Sequence, residues 1–439
     1  MLVEEDVEDD LILDLLGYPS EMKHRASHSR PNYRESLWSL MLKNPEIVEP
    51  SSKVGKQFRR RFTIPFSLFQ HIMSKIREEH WFSEGPHCAP LELKVLGVFR
   101  VLGRATCFDG INELSLISEE VHRVFFHKFT EKFVERFFTE FVHPPQNSEE
   151  LNETVEIYAK LGLHGAMSST DGVHLSWQAC PAMDHNMHVG KDHEPTLGYQ
   201  ATVNHKKQFT AFSPSLEGGR NDMTAAKYYQ HISDLRDGKF TTKLVLHRNT
   251  VNGESSETID SFKLFTLVDG GYHHWMSLMC GLKIPSTEAE GRYTAQMESV
   301  RKDVECAFGI LKKRFLCLRH ILFQERYQID KMVHTCVIIH NMLLKHDGYL
   351  DKWSFGSKWD EAAGELTPEE DIEDDWPLED RAKQAIFHHT NFQMAVARNH
   401  QRKVPTEQME VEHGWYGFRQ KLIANFDYWW EKSKIKWLQ

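Results

Sequence analysis

The hydrophobic period of the chain changes at His143-Pro144-Pro145-Gln146-Asn147-Ser148. Before this linker, apolar residues recur at helical spacing. After it, they come in short β-branched runs broken by turns. The helical and strand periods cannot be exchanged within one element. The chain must therefore build helices first and a sheet second. In the helical part Leu68, Ile72 and Ile76 mark one helix, and Leu91, Val95, Val98 and Leu102 mark another. Asp109-Gly110 signals a turn, INELSL a short helix, and Ser118 an N-cap. The helix that follows is expected to bury Val121, Val124, Phe125 and Phe129. Two helices across a tight turn resemble a helix-turn-helix, although an ordinary bundle gives the same pattern. On the first reading Arg123, Lys128, His122 and His127 face phosphates.

Past the linker, GAMSSTDGVHLSW and TLGYQATVNHKKQFTAF read as strands, with Asn204–Lys207 as a hairpin connection. Asn221 or Asp222 caps a helix over MTAAKYYQHISDL, and residues 237–261 read as loop-rich. FKLFTLV is a continuous apolar strand stopped by Asp269-Gly270-Gly271. SVRKDVECAFGILKKRF is an amphipathic helix with Val300, Val304, Phe308, Leu311 and Phe315 on its buried stripe. The class is α/β, and the order β-β-β-α-β-α is that of an RNase H-like fold. The expected domains are a partly disordered acidic segment (1–54), a helix-turn-helix-like domain (55–145), an RNase H-like domain (160–346), an acidic linker (347–380) and a helical, basic and aromatic tail (381–439).

Net charge is −10, which by itself argues against a nucleic-acid partner. The distribution reverses that. Residues 1–14 hold seven Asp/Glu, and residues 360–380 hold eleven, neither with a Lys or Arg. Without those eighteen, the remaining 45 acids face 53 bases, a net +8. A basic body masked by two acidic segments is compatible with binding a polyanion. The acidic first residues do not resemble a signal peptide, and no apolar run is long enough for a membrane helix. The seven cysteines are scattered without a CxxC, which points to free thiols in a reducing compartment. Although there are 26 histidines, no Cys/His spacing fits a zinc site, so a zinc hydrolase is not supported.

Three acids stand where chemistry could use them. Asp171 lies in a strand, Asp269 ends one, and Glu305 borders the buried stripe of a helix. Carboxylates brought together away from bulk water are costly unless a cation neutralises them. Such a set implies Mg²⁺ or Mn²⁺, and two ions about 3.5–4 Å apart would suit in-line displacement at phosphorus.

Six pieces from residue 165 to 346 resemble the DDE transposase domain of the PIF/Harbinger superfamily, in its plant-transposon-like branch. They are SSTDGVHLSWQACP, GKDHEPTLGYQA, SLEGGRNDMT, FTLVDGGYHHW, ESVRKDVECAFGILKKRF and IIHNML. The resemblance places the catalytic and metal-ligating acids on Asp171, Asp269 and Glu305, with 35 residues between the last two. It implies a nuclear, metal-dependent DNA endonuclease that frees a 3′-hydroxyl for strand transfer. It also implies double-stranded DNA as substrate, a Myb-like protein partner, and a possible oligomer. The alternative is a domesticated, catalytically silent DNA-binding scaffold with the same fold. Cys306 stands where the family commonly has Arg, and His273-His274 replaces a Pro-containing turn. Asp222 also falls in a matching piece, but its expected role is a helix N-cap. His174 either rims the site or is an ordinary histidine. Arg59, Arg60, Arg61, Lys312, Lys313 and Arg314 are the candidate DNA contacts. The aromatic tail either stacks on DNA or docks as a helix on the catalytic part.

Overall fold

A computed structural model describes residues 31–85, 88–190, 193–352 and 408–435. Both acidic runs, and most of the expected linker and early tail, lie outside the described residues. The N-terminal helices are α1 (Leu37–Leu42), α2 (Lys53–Phe62), α3 (Phe66–Glu78), α4 (Leu91–Arg104), α5 (Phe108–Ser115), α6 (Glu119–Phe141) and α7 (Ser148–Lys160). Short side chains set several starts. Ser52 Oγ accepts the Gly55 N–H at 2.9 Å, and Asn147 Oδ1 accepts the Glu150 N–H at 2.9 Å.

The α6 helix has 23 residues and is about 35 Å long. It buries Phe125, Phe129, Phe133 and Phe137, an aromatic ladder at four-residue spacing, together with Phe126. This corrects the expected stripe, because Val121 is exposed. The larger rings at i, i+4 outweigh the valines in choosing the buried face. His122 is buried, which removes it as a phosphate donor, and His127 is half-buried against Phe323. The His122 ring pairs with Ser115 Oγ at 2.8 Å. Burial pushes both imidazoles down to about 4. Arg123 pairs with Glu120 on its own helix.

The second part contains β1 (Ala166–Trp177), β2 (Thr196–Val203), β3 (Phe209–Phe212), β4 (Leu216–Glu217), α8 (Asp222–Tyr228) and α9 (Gln230–Asp237). The chain continues through β5 (Thr241–Thr250), β6 (Gly253–Lys263), β7 (Phe265–Leu267) and β8 (Leu278–Met279). It then forms α10 (Glu288–Arg301), α11 (Asp303–Arg314), β9 (His320–Ile321), α12 (Arg326–His346) and α13 (Trp415–Glu431). The main sheet runs β3-β2-β1-β7-β8. Strands β1, β2 and β3 are antiparallel, whereas β7 is parallel to β1 and β8 to β7.

Residues 237–261, expected as loop, contain most of an antiparallel ribbon, β5–β6, with Thr250 opposite Gly253 near its tip. Its strands are largely polar and lack an alternating stripe; only Leu244, Leu246 and Phe262 are buried hydrophobics. The amphipathic helix breaks at Lys302 into α10 and α11, while its stripe stays buried. One core joins α2–α6 to Leu175, Trp177, Tyr199 and α12, so the N-terminal helices and the sheet share their interior. The other face packs Ala166, Met167, Phe265 and Leu267 with α10 and α13. Among the described residues, no helix is long and apolar enough to cross a membrane.

Candidate active site

The parallel register of β1 and β7 pairs Ser169 with Leu267. Two residues further on stand Asp171, still within β1, and Asp269, just past the end of β7. Each carboxylate accepts a nearby backbone N–H: Asp171 from Gly172 and Asp269 from Gly271, both at 2.8 Å. A third acid joins them. The N-cap of α8 is Asn221, whose Oδ1 accepts the Thr224 N–H at 2.8 Å. Asp222 is therefore the first helical residue and not the cap, which corrects the expectation for it. Its carboxylate turns toward the strand ends.

Two glycines make room for this approach. A Cβ at Gly172 would stand 3.0 Å from Asp222 Oδ1 and 2.9 Å from Gln200 Nε2. A Cβ at Gly271 would stand 3.0 Å from Asp269 Oδ1 and 3.7 Å from Asp222 Oδ2. Beneath the acids the buried Tyr272 hydroxyl donates to Gln200 Oε1 at 2.7 Å. Burial holds the phenol well above its ordinary value, and the charges of Asp222, Asp171 and Asp269 add to this. Burial above all pushes the Asp171 carboxyl up to about 7. The negative charges of Asp269 and Asp222 add to that rise, against the Gly172 N–H and Arg301.

Glu305 lies in the first turn of α11 and is exposed. It reaches the cluster through Arg301, the last residue of α10. Arg301 Nη1 stands 2.8 Å from Glu305 Oε1 and 3.5 Å from Asp171 Oδ2, and its Nε donates to Glu298 at 2.9 Å. The break at Lys302 puts this guanidinium between the acids. Among the described residues, no group of three or more His, Cys, Asp or Glu side chains, the set of Asp171, Asp222 and Asp269 included, converges tightly enough as placed to hold a metal ion. The donor chemistry nonetheless suits a hard cation, since Asp171, Asp222 and Asp269 present carboxylate oxygens beside a glycine-made gap.

Of the sequence candidates, Asp171 and Asp269 are neighbours and Glu305 is tied to them by Arg301. Lys312 Nζ donates to the His174 carbonyl at 3.2 Å, three residues along β1 from Asp171, and Lys313 is exposed. Arg314 is buried and donates to His340 Nδ1 at 3.1 Å, so as a DNA contact it is corrected. Arg59 forks onto Asp347 at 3.1 and 2.6 Å. Arg60 and Arg61 are exposed, and their carbonyls accept from Arg104 and Arg100 of α4. Sequence reading missed the roles of Asp222, Arg301 and the Tyr272–Gln200 floor. The signal for Asp222 was present: only one of two adjacent cap-type residues can occupy the N-cap.

Acids gathered at the ends of the central strands, with helices on both faces, define an α/β protein with a mixed sheet. Residues 139–351 match the family described as plant transposon protein, and this match together with the relatives below supports the Harbinger superfamily. It is similar to three proteins carrying the curated name "Putative nuclease HARBI1". Identity is 26% to the Bos taurus protein, 25% to that of Rattus norvegicus and 26% to that of Homo sapiens. In each case the alignment spans 229 residues, 51% of this chain and 58% of the relative. No solved structure shows a significant match.

Proposed function

We propose that the protein is a divalent-metal-dependent DNA endonuclease of the DDE type, built on an RNase H-like sheet. The observation that carries this reading is the gathering of Asp171, Asp222 and Asp269 around a buried Tyr272–Gln200 pair, with one carboxyl driven up to about 7. Perturbed acids of this kind cluster at functional sites. The strand order, three antiparallel strands followed by parallel ones across the centre, supports the RNase H-like assignment.

Asp171, Asp222 and Asp269 would hold Mg²⁺ or Mn²⁺, one or two ions, with Glu305 completing the set once Arg301 releases it. A bound ion of this type neutralises phosphate charge and lowers the pKa of water. The chain's own residues do the rest. Gly172 and Gly271 keep the space over the acids open, and Tyr272 and Gln200 fix its floor. Arg301 steers Glu305 and Asp171. Lys312, Lys313, Arg60 and Arg61 supply positive charge for a DNA backbone, which holds the duplex by phosphate contacts without reading sequence. Strand transfer, a Myb-like partner and nuclear action rest on the superfamily alone.

A second reading, a catalytically silent scaffold that still binds DNA, is favoured by one observation: Glu305 is paired to Arg301 and the ligand set is not closed. Nicking of supercoiled plasmid separates the two. The enzyme reading expects Mg²⁺-dependent open circles from the parent chain and none from Asp171→Asn or Asp269→Asn. The scaffold reading expects DNA retardation without nicking from all three.

A further inference from the structure

The residues around the acids belong to the family-matched stretch 139–351, but the segment that braces them does not. Residues 410–415 lie across the turn that follows Asp269. Val411 forms a parallel bridge with His274. The His274 N–H donates to the Glu410 carbonyl and the Glu412 N–H to the His274 carbonyl, both at 2.9 Å. The Glu410 carboxylate accepts from Trp275 Nε1 at 3.0 Å, and the Glu412 carboxylate accepts the Met276 N–H at 2.7 Å. The Glu410 N–H donates to His273 Nδ1 at 3.0 Å. Trp415, fully buried, stacks flat on His274 at 4.0 Å and donates to the Leu278 carbonyl at 2.9 Å.

The same short segment reaches α8, which carries Asp222, and the following helix α9. Glu410 pairs at 2.8 Å with Lys227 of α8, the helix that begins at Asp222. Glu412 pairs at 3.2 Å with Arg236 of α9. From Trp415 the chain continues into α13, which packs along α10. There Asp427 pairs with Arg292 at 2.6 Å and Phe426 meets Tyr293 edge-on, on the helix that ends at Arg301. One continuous piece thus ties together the carriers of Asp269, Asp222 and Arg301. Within the family-matched stretch, β1 also meets all three, through its pairing with β7, the Asp171–Arg301 contact and the approach of Gly172 to Asp222, so the C-terminal segment braces the same elements from outside.

We propose that residues 410–415 act as a positioning strap, which sets the spacing of Asp222 and Asp269 by holding the 273–276 turn against α8. The proposal deepens the acid-site reading and rests on it. It predicts that the carboxylates lose their common geometry when the strap loosens, although none of its residues touches them. It also assigns the C-terminal aromatic segment to the catalytic part of the protein and not to DNA stacking.

Amide hydrogen exchange and Mn²⁺ titration on the full chain test this, using Glu410→Gln combined with Glu412→Gln, and separately Trp415→Ala and Trp415→Phe. The expected result for the double variant and Trp415→Ala is exchange about tenfold faster at Tyr272, His274 and Met276, with β1 amides unchanged. Mn²⁺ affinity should fall about tenfold, the scale of one lost charge-assisted hydrogen bond. Trp415→Phe keeps the ring stack and should stay near the parent. The glutamates are surface residues, so the double variant folds even if Trp415→Ala does not. Unchanged exchange at 272–276, a rise spread equally over β1, or unchanged Mn²⁺ affinity with a loosened turn would each overturn the strap's role. Failure of the parent to bind Mn²⁺ would overturn the acid-site reading and the spacing role with it, while exchange would still show whether the strap holds the turn.

Discussion

Replacing Asp171 by Asn should stabilise the cation-free protein at alkaline pH. The carboxyl is pushed from 3.8 to about 7 by burial, with Asp269 and Asp222 adding to the effect. A group whose folded pKa lies above its unfolded one binds its proton more tightly when folded. Its cost is absent below 3.8, accumulates as pH rises to about 7, and is complete above that. At about 1.4 kcal/mol per tenfold in proton affinity, the full cost is about 4 kcal/mol. Asn cannot ionise and keeps an acceptor for the Gly172 N–H, but it gives up the Arg301 attraction at 3.5 Å. The net gain at pH 8 is therefore about 2–4 kcal/mol, shrinking toward zero at pH 4.

Urea unfolding in EDTA at pH 8 and pH 5, read as the difference between variant and parent, measures this. The difference matters because His122, His127, His205 and His231 act in the opposite sense. Burial lowers their folded pKa values to about 4, 4, 3 and 4, so each withdraws stability as pH falls below 6.5. They do so equally in both proteins and cancel. A variant less stable than the parent at pH 8, or a gain independent of pH, would refute the reasoning. A stabilising change that abolishes nicking is the signature of strain kept for function.

Three other perturbations have definite outcomes. Lys207→Met leaves the Asp303 carboxylate, buried and paired at 2.8 Å, without its cation; about 3–5 kcal/mol of stability should be lost in denaturant titration, and a near-neutral result would contradict the burial. Lys313→Gln should leave thermal stability unchanged and reduce the salt slope of DNA binding by about one, whereas Arg314→Gln should lower thermal stability because its guanidinium is internal. Arg301→Gln should unfold at lower urea than the parent in EDTA and recover more on adding Mg²⁺, since only the cation is then left to separate Asp171 and Glu305; equal recovery would count against Arg301 as the internal counter-ion.

How much of this was legible in the sequence depended on how local the cause was. The α/β order, the β2–β3 connection and the Asp171 and Asp269 strands were readable because apolar runs and turn residues mark them. The stripe from Val300 to Phe315 was readable too, but not its break at Lys302, which is what places Arg301 between acids. Arg314 was misjudged because consecutive basic residues on a helix point in three directions, and one of the three enters the core. Asp222 was misjudged because cap chemistry and site chemistry use the same residue types. The β5–β6 ribbon carries too few apolar residues to announce itself, and one of its faces is completed by α13, far along the chain. The pairing of α6 with the sheet's core was invisible for the same reason.

The central claim is that Asp171, Asp222 and Asp269 share a divalent cation. Mn²⁺ titration of the full chain, followed by the EPR signal of the free ion, tests it most directly. The account predicts saturable binding to the parent that is lost in the Asp171→Asn, Asp269→Asn double variant and competed by Mg²⁺. Binding of equal strength in both proteins, or none in the parent, would contradict it.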